Sequence, residues 1–116
     1  MSIKNITKQT ILAKDFKTCN TILNQARGLM FSKQANLLFK FKHSKIVPLH
    51  MFFVFYPIDV LYLNEDMEIV EIKENFRPFT MFNPKTPAKY ILELKKGRVS
   101  VSKSEIGDKI SINKLK

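Results

Sequence analysis

The chain has 116 residues and a formal net charge of +10, with an apolar fraction that is ordinary for a globular protein. This length predicts one domain, residues 1–116, and the composition excludes an intrinsically disordered chain. The single cysteine, Cys19, excludes an intramolecular disulfide and a multi-cysteine zinc site, and it favours a reducing compartment. Because the first ten residues lack the apolar block of a signal peptide, we expect a cytoplasmic protein.

The first third of the chain predicts a hairpin followed by the main helix. Residues 4–17 alternate imperfectly between apolar and polar types, which is typical of an opening strand or hairpin. Residues 18–27 predict a short helix, with Thr18 or Asn20 as the capping residue and Gly28 just after its end. Cys19 near the helix start has two interpretations, a thiol with a lowered pKa or, as we favour, a packing or exposed thiol.

Residues 46–63 form the densest apolar and aromatic run, and the rest of the chain is expected to pack around it. Pro48 and Pro57 each remove a backbone donor, and Asp59 places a charge near one end of the run. These interruptions argue against a membrane-spanning helix. We predict two buried strands instead, residues 49–55 and 58–63, joined at Pro57.

The other strands are predicted from alternation and from turn residues. Residues 37–42 place three apolar side chains on one side and lysines on the other, as in a half-exposed strand that turns at 43–45. Residues 68–73 pair back after a turn at 64–67, and residues 90–94 form another strand before a turn at 95–97. Residues 98–112 are expected to complete the sheet around a turn at 106–108.

Residues 74–89 differ in kind, because they contain three prolines, three phenylalanines and a methionine with neither helical nor strand periodicity. Such a long irregular segment within a domain is uncommon and is often functional. We call it the flap and expect one or two of Phe76, Phe79 and Phe82 to be inward anchors and at least one to remain reachable. The alternative is that all three are sealed into the core.

Taken together, the pattern predicts an α+β fold that is mainly antiparallel, a strongly bent sheet or small β-barrel with one main helix and a long apolar flap. The absence of alternating long helices argues against a doubly wound parallel sheet.

Several stretches together resemble the domain of unknown function family 192. They are Ala-Arg-Gly-Leu-Met-Phe at 26–31, Leu-Phe-Lys-Phe at 38–41, the run at 50–63, Leu-Glu-Leu-Lys-Lys-Gly at 92–97 and Ile-Gly-Asp at 106–108. Many members carry Trp-Met-Lys-Asn-Thr where this chain has His-Met-Phe-Phe-Val at 50–54. The resemblance implies a small, mainly β, barrel-like α+β domain and implies no particular activity.

The charged residues inside the resembling stretches, Arg27, Asp59, Glu93 and Asp108, are each embedded beside apolar residues. The structural interpretation, which we favour, is that Arg27 pairs with Asp59 or Glu93 and Asp108 caps a turn. The functional interpretation is that these groups ring a pocket beneath the flap and bind a polar ligand together with Phe76, Arg77 and Phe79. The spacings match no metal site, phosphate loop or serine triad, so we expect no metal and no cofactor and assign no catalytic residue.

For function, the leading hypothesis is a non-catalytic binding module that contacts a partner or small polar ligand through the flap and nearby charges. An acidic protein or an anionic ligand suits the basic border of the flap. One alternative is a small-molecule hydrolase that uses Asp59 and Glu93. A second is weak, non-specific nucleic-acid binding by the Lys-rich half, because residues 1–58 carry nine bases and one acid whereas residues 59–116 carry eleven and nine.

Overall fold

The computed structural model describes residues 2–19, 35–52 and 54–113, and its secondary structure there consists mainly of strands. In chain order the elements are β1 Ser2–Asn5, β2 Thr10–Ala13, β3 Lys17–Cys19, β4 Leu37–Lys45, β5 Leu49–His50, β6 Ile58–Leu63, β7 Ile69–Phe76, β8 Met81–Phe82, β9 Ala88–Lys95, α1 Arg98–Ser102 and β10 Ile110–Asn113.

A five-stranded sheet in the order β3-β4-β9-β6-β7 forms the centre of the molecule. Its pairings are antiparallel except for β3 and β4, which run parallel. A three-stranded sheet in the order β10-β1-β2 and a two-stranded pair of β5 and β8 complete the β structure of the described ranges. None of the pairings within those ranges closes the sheet into a barrel.

Both faces of the five-stranded sheet are buried, and strand β6 shows this most directly, because all six of its residues are buried. Since side chains alternate along a strand, Ile58, Val60 and Tyr62 lie on one face and Asp59, Leu61 and Leu63 on the other. The apolar residues of the two sets fall into two separate core clusters. The sheet therefore needs a cover on each side.

The two covers are built differently. One face packs against Val47, Leu49, Met51 and Val54, from the segment that crosses the sheet between β4 and β6, and we call it the loop-covered face. The other face packs against side chains of the three-stranded sheet and of α1, and we call it the sheet-covered face. Its covering residues are Ile3, Leu12, Val99 and Ile110.

The prediction for residues 58–63 is confirmed, because β6 has those bounds. The predicted strand at 49–55 is wrong beyond His50, since among the described residues that follow, the Met51 carbonyl accepts from Val54 and Phe79 rather than joining a ladder. The predicted turn at 43–45 is also wrong. Strand β4 continues to Lys45, which pairs with Ala88 after an irregularity in register.

The helix prediction is wrong where it can be compared. Thr18 and Cys19 belong to β3, which pairs in parallel with β4, so no helix begins there. The rest of the predicted helix, including Arg27 and the following Gly28, lies outside the described residues. A five-residue helix instead forms at Arg98–Ser102, where the sequence favoured a strand.

The flap is shorter than predicted, because both of its ends belong to long strands. Strand β7 continues to Phe76 and β9 begins at Ala88, and within the remaining segment Met81 and Phe82 form the short strand β8. The described part of the chain is thus mainly antiparallel β structure with one short helix, as the coarse α+β prediction requires. None of its helices is long and apolar enough to span a membrane.

Tyr62 offers a test of how the loop-covered core is packed. Its side chain has no exposed surface, and its hydroxyl has no hydrogen-bond partner among the residues that the structure describes. Because an unsatisfied buried hydroxyl destabilises the folded state, Tyr62→Phe should raise the free energy of unfolding by about 1 kcal/mol in urea denaturation. The same change at half-buried Tyr90, on the opposite face, is the control and should have no such effect. A clear loss of stability in Tyr62→Phe would contradict the packing described here.

Candidate functional site

Two chain segments meet on the outside of the loop-covered face and form what we call the aromatic lobe, residues 49–52, 54–56 and 77–82. Strands β5 and β8 pair there, with Leu49 opposite Phe82 and His50 opposite Met81. The Met51 amide donates to the Thr80 carbonyl at 2.8 Å, and the Phe79 amide donates to the Met51 carbonyl at 2.7 Å. Since the Met51 side chain is itself buried, the two segments are anchored to the core at this residue.

The lobe exposes a group of large apolar side chains. Phe55 is 63% exposed, Phe79 is 51% exposed, and their rings meet edge to face with centroids 5.5 Å apart. Phe52 and Met81 are exposed as well, and the Phe52 ring stacks on His50 at 5.0 Å. Apolar surface concentrated in this way usually marks a binding site rather than a random surface.

Phe79 also has an unusual backbone conformation. Its φ angle is 61°, in the left-handed region that bulky side chains rarely adopt. Holding a residue other than glycine there costs on the order of 1–2 kcal/mol. Strain of this kind persists where the surrounding structure imposes it and is found most often at functional sites.

Phe76 and Phe82, the other two phenylalanines of the flap, close the inner side of the lobe. Phe76 is 1% exposed and belongs to the core, and half-buried Phe82 packs between Phe76 at 6.3 Å and Tyr62 at 5.9 Å. Of the three residues, Phe76 is therefore buried in the core and Phe79 is the exposed ring.

Basic side chains border the lobe. Arg77 is exposed and follows the buried Phe76, exposed Lys85 lies farther along the same segment, and the Lys73 ammonium lies 5.4 Å from the centre of the Phe82 ring. The ion pairs within the described ranges are both formed by Lys8, so neither Arg77 nor Lys85 has a described carboxylate within 4.0 Å. The Glu71 carboxylate accepts from the backbone amides of Lys85 and Thr86, so it lies at this border without forming an ion pair with the described basic side chains.

Asp59, predicted to be a buried acid, is 1% exposed and is held by backbone donors. One carboxylate oxygen accepts from the Asn75 amide at 3.0 Å, and the other accepts from Gly97 at 3.0 Å and Val99 at 3.1 Å. The carboxylate thereby joins β6 to the end of β7 and to the start of α1. A carboxylate whose oxygens are occupied in this way is a structural group.

Glu93 is also buried, but it lies on the other face of the sheet. In the antiparallel pairing of β6 and β9, Val60 is opposite Glu93 and Asp59 is opposite Leu94. Since directly opposed residues share a face, Glu93 is on the loop-covered side and Asp59 on the sheet-covered side. These two acids do not converge on a common site, so the geometry does not favour the hydrolase alternative, which required Asp59 and Glu93 to act together.

Glu93 affects the ionisation of its neighbours. Burial, and then the nearby carboxylates of Glu93 and Glu71, raise the pKa of Tyr62 far above its usual range. Burial, and then Glu93, also raise the pKa of the Cys19 thiol. Both groups are therefore protonated at neutral pH, and Cys19 lacks the lowered pKa of a reactive nucleophile.

Asp108 belongs to a polar network far from the lobe in the sequence. Its carboxylate accepts from the Asn5 amide group at 2.9 Å, from the Lys8 ammonium at 3.0 Å and from the Glu105 backbone amide at 3.0 Å. Burial alone would raise the pKa of the Asp108 carboxyl, but the hydrogen bonds from Asn5, Lys8 and Glu105 hold that pKa below its usual range. Asp108 thus fixes the turn before β10 to strand β1, which agrees with the structural interpretation.

The predicted site residues therefore separate into groups. Phe76, Arg77 and Phe79 lie together at the lobe, Glu93 lies buried on the loop-covered face of the sheet, and Asp59 and Asp108 hold other parts of the fold. Arg27 lies outside the described residues. No group of three or more potential metal ligands occurs in the described ranges.

Sequence reasoning missed Phe52, Phe55 and Met81, which supply much of the exposed surface of the lobe. The sequence offers no alternation that marks Phe52 as outward-facing, because Met51 and Phe52 are both apolar. The burial of Leu49 and Met51 and the exposure of His50 and Phe52 are visible only in the structure.

Comparison with known sequences gives one consistent result. The model of the DUF192 family, described as "Uncharacterized ACR", matches residues 3–112. A UPF0127 protein of Thermococcus sibiricus is 34% identical over 114 residues, covering 91% of this chain and 71% of that protein. A UPF0127 protein of Pyrococcus furiosus is 29% identical and covers 96% of this chain and 97% of its own length.

Two solved structures are similar in fold. A protein of unknown function from Novosphingobium aromaticivorans superposes with a TM-score of 0.82 over 96% of this chain and 82% of its own length, at 20% identity. A protein from Sinorhizobium meliloti, provisionally called a transcription regulator, gives a TM-score of 0.75 at 27% identity, over 81% of this chain and 78% of its own.

The arrangement around Asp59 predicts a large effect of its removal. Asp59→Ala leaves the amides of Asn75, Gly97 and Val99 without their acceptor in a buried site and should lower the free energy of unfolding by on the order of 3 kcal/mol. Asp66→Ala, which removes an exposed acid, is the control and should stay within about 0.5 kcal/mol. Thermal and urea denaturation measure both, and a melting temperature that barely moves in Asp59→Ala would refute the structural role.

The lowered pKa of Asp108 predicts a dependence of stability on pH. Because the folded-state pKa lies below the value in the unfolded chain, about 3.9, the contribution is present above that value and is lost as pH falls through the folded pKa. Asp108→Asn should therefore be less stable by about 1–2 kcal/mol at neutral pH.

Urea denaturation between neutral and acidic pH tests this dependence, since the difference from the original chain should shrink below about pH 4. Asp66→Asn, at an exposed acid, is the matched control. A stability difference for Asp108→Asn that is the same at both ends of the range would show that the ionised carboxylate is not responsible.

Proposed function

The chain belongs to the DUF192 family, and we propose that it is a non-catalytic binding module whose contact surface is the aromatic lobe. The observation that carries this proposal is Phe79, an exposed aromatic residue with a left-handed backbone, paired edge to face with exposed Phe55. Selection for stability alone would favour asparagine or glycine at such a position. A ring kept there at a cost in stability is explained by contact with a partner.

The partner that fits this surface is an acidic protein segment carrying aliphatic or aromatic side chains. Its apolar residues would cover Phe52, Phe55, Phe79 and Met81, and its carboxylates would pair with Arg77 and the neighbouring lysines. Buried aromatic anchors supply most of the affinity of such interfaces, while a charged rim mainly sets specificity and association rate. The net charge of +10 adds long-range attraction for an acidic partner.

Pre-organisation supports a binding role for the lobe. Backbone hydrogen bonds at Met51 and the pairing of β5 with β8 fix the two segments relative to each other. Because little conformational freedom then remains to be lost on association, a surface of modest size can bind usefully. A hydrolase based on Asp59 and Glu93 is less well supported, since the sheet separates their side chains.

We also propose that residues 1–116 act as one domain in the cytoplasm, with the five-stranded sheet bent strongly enough to approach a barrel. Burial of both faces of the sheet supports the bending, because twisted strands wrap most easily around a core. Cys19 is a free thiol, as expected in a reducing compartment.

A peptide-binding assay tests the lobe directly. A fluorescent peptide that alternates glutamate with leucine and phenylalanine is titrated with the protein at physiological salt, alongside the same peptide with lysine in place of glutamate. We expect the acidic peptide to bind and the basic peptide to bind at least tenfold more weakly, about 1.4 kcal/mol. The variant Phe55→Ser/Phe79→Asn should lose roughly tenfold in affinity for the acidic peptide, while its stability changes by no more than about 1 kcal/mol.

The matched control is Val101→Ser/Ile106→Ser, which removes two apolar side chains that are each 66% exposed elsewhere on the molecule. This variant should bind the acidic peptide as the original chain does. Equal losses in the two variants, or no preference for the acidic peptide, would overturn the proposal. A labelled single-stranded DNA that binds more tightly than the peptide at physiological salt would instead favour the nucleic-acid hypothesis.

A further inference from the structure

A groove of about 510 Å³ opens beside the sheet-covered core, between β2 and the turn that leads from β9 into α1. Buried Leu12 and Ala13 form apolar parts of its lining, and Asn36 contributes a polar side chain that is only 9% exposed. This volume is within the range of cavities that hold small ligands. The groove is distinct from the aromatic lobe, which lies on the loop-covered face.

Asn36 holds the walls of the groove together. Its side-chain amide donates to the Asp15 carbonyl at 3.2 Å, its side-chain oxygen accepts from the Lys95 amide at 3.2 Å, and its carbonyl accepts from the Lys17 amide at 2.9 Å. One residue thus joins the chain before β3 to the end of β9. The shape of the groove is fixed before any ligand enters.

Arg98 supplies a positive charge in a defined position at the groove. Its Nε donates to the Leu12 carbonyl at 3.1 Å and its Nη2 to the Ile11 carbonyl at 2.6 Å. These neutral acceptors orient the guanidinium without cancelling its charge, and its other N–H donors are not used in these contacts. Within the described residues no carboxylate forms an ion pair with Arg98.

The charges of the groove are unbalanced. Lys14, Lys95 and Arg98 line it together with a single acid, Asp15. An oriented guanidinium with free donors recognises carboxylate and phosphate groups well, and lysines add attraction without demanding a particular geometry. The apolar lining from Ile11, Leu12 and Ala13 suits a ligand that also has a hydrocarbon part.

We propose that this groove is a binding site for a small organic anion, a carboxylate or phosphate attached to an apolar group. The anionic group lies against Arg98 with Lys14 and Lys95 beside it, and the apolar group packs on Ile11, the exposed apolar side chain of the lining. This proposal does not depend on the function proposed for the lobe, since the two surfaces share no residue.

A titration followed by NMR tests the site with three probes: benzoate, phenyl phosphate and the neutral benzyl alcohol. Benzoate or phenyl phosphate should shift the backbone amides of residues 11–15, 36 and 95–98 with a dissociation constant tighter than about 1 mM, and benzyl alcohol should not. The anion that binds more tightly identifies the carboxylate or the phosphate as the preferred group. If neither anion shifts these amides, the proposal is wrong.

Variants separate this site from the general charge of the protein. Lys14→Glu/Lys95→Glu should weaken binding of the better anion at least tenfold. Lys42→Glu/Lys109→Glu, which changes the net charge equally at exposed positions outside the groove lining, should weaken it less than about threefold at physiological salt. Equal losses in the two variants would show diffuse attraction and overturn the site.

Asp15 provides a test that a folding defect cannot imitate. Its side chain is exposed and its carbonyl, not its carboxylate, holds Asn36, so Asp15→Asn should leave the groove intact. Because removing the one acid of the lining reduces repulsion of an anion, Asp15→Asn should strengthen binding several-fold. Unchanged or weaker binding in this variant would contradict the assignment, whatever the behaviour of the lysine variants.

Discussion

Burial of the five-stranded sheet on both faces is the constraint on which the rest of this structure depends. A sheet that places Val60 and Tyr62 on one side and Leu61 and Leu63 on the other cannot leave either side in water. The three-stranded sheet and α1 cover one face, and the segment between β4 and β6 covers the other. The first cover is a regular layer of strands and a helix, whereas the second is made of irregular chain, which is where exposed aromatic residues can be displayed on a fixed base.

The buried acids show how the same constraint assigns roles to charged groups. Asp59 and Glu93 are neighbours in the strand pairing, yet the alternation of side chains sends them to opposite faces. Asp59 meets the backbone donors of the turn before α1 and fixes that turn, while Glu93 lies in the loop-covered core and raises the pKa of Tyr62 and Cys19. Function is therefore better sought at exposed Arg77 in the lobe and half-buried Arg98 in the groove than at the acids that first draw attention in the sequence.

The sequence predicted those parts of the fold that hydrophobic patterning decides. Strand β6 was predicted with its observed bounds because an uninterrupted run of buried residues between turn signals has few other solutions.

The helix at Arg98–Ser102 was missed because Arg-Val-Ser-Val-Ser has the β-branched alternation of a strand, and the acceptor for its first amides, Asp59, is remote in the sequence. The separation of Asp59 from Glu93 required the register of β6 against β9, which no local pattern encodes. The sequence also indicated that some phenylalanines of the flap would be buried and others exposed. It did not indicate that Phe76 would be the buried one and Phe79 the exposed one.

The way the aromatic lobe is attached has a consequence for the dynamics of the protein. Its segments are held to each other by a two-residue strand pair and the bonds at Met51, and they form no ladder with the five-stranded sheet. Lifting of the lobe would expose the Leu49, Met51 and Val54 side chains that cover the loop-covered core, so it is a cooperative opening. It costs less free energy than global unfolding, because every pairing of the central sheet stays intact. In hydrogen exchange, the amides of Met51 and Phe79 would then exchange through this partial opening, well before those of β6 and β9. A bound partner would slow that exchange, because it stabilises only the closed form.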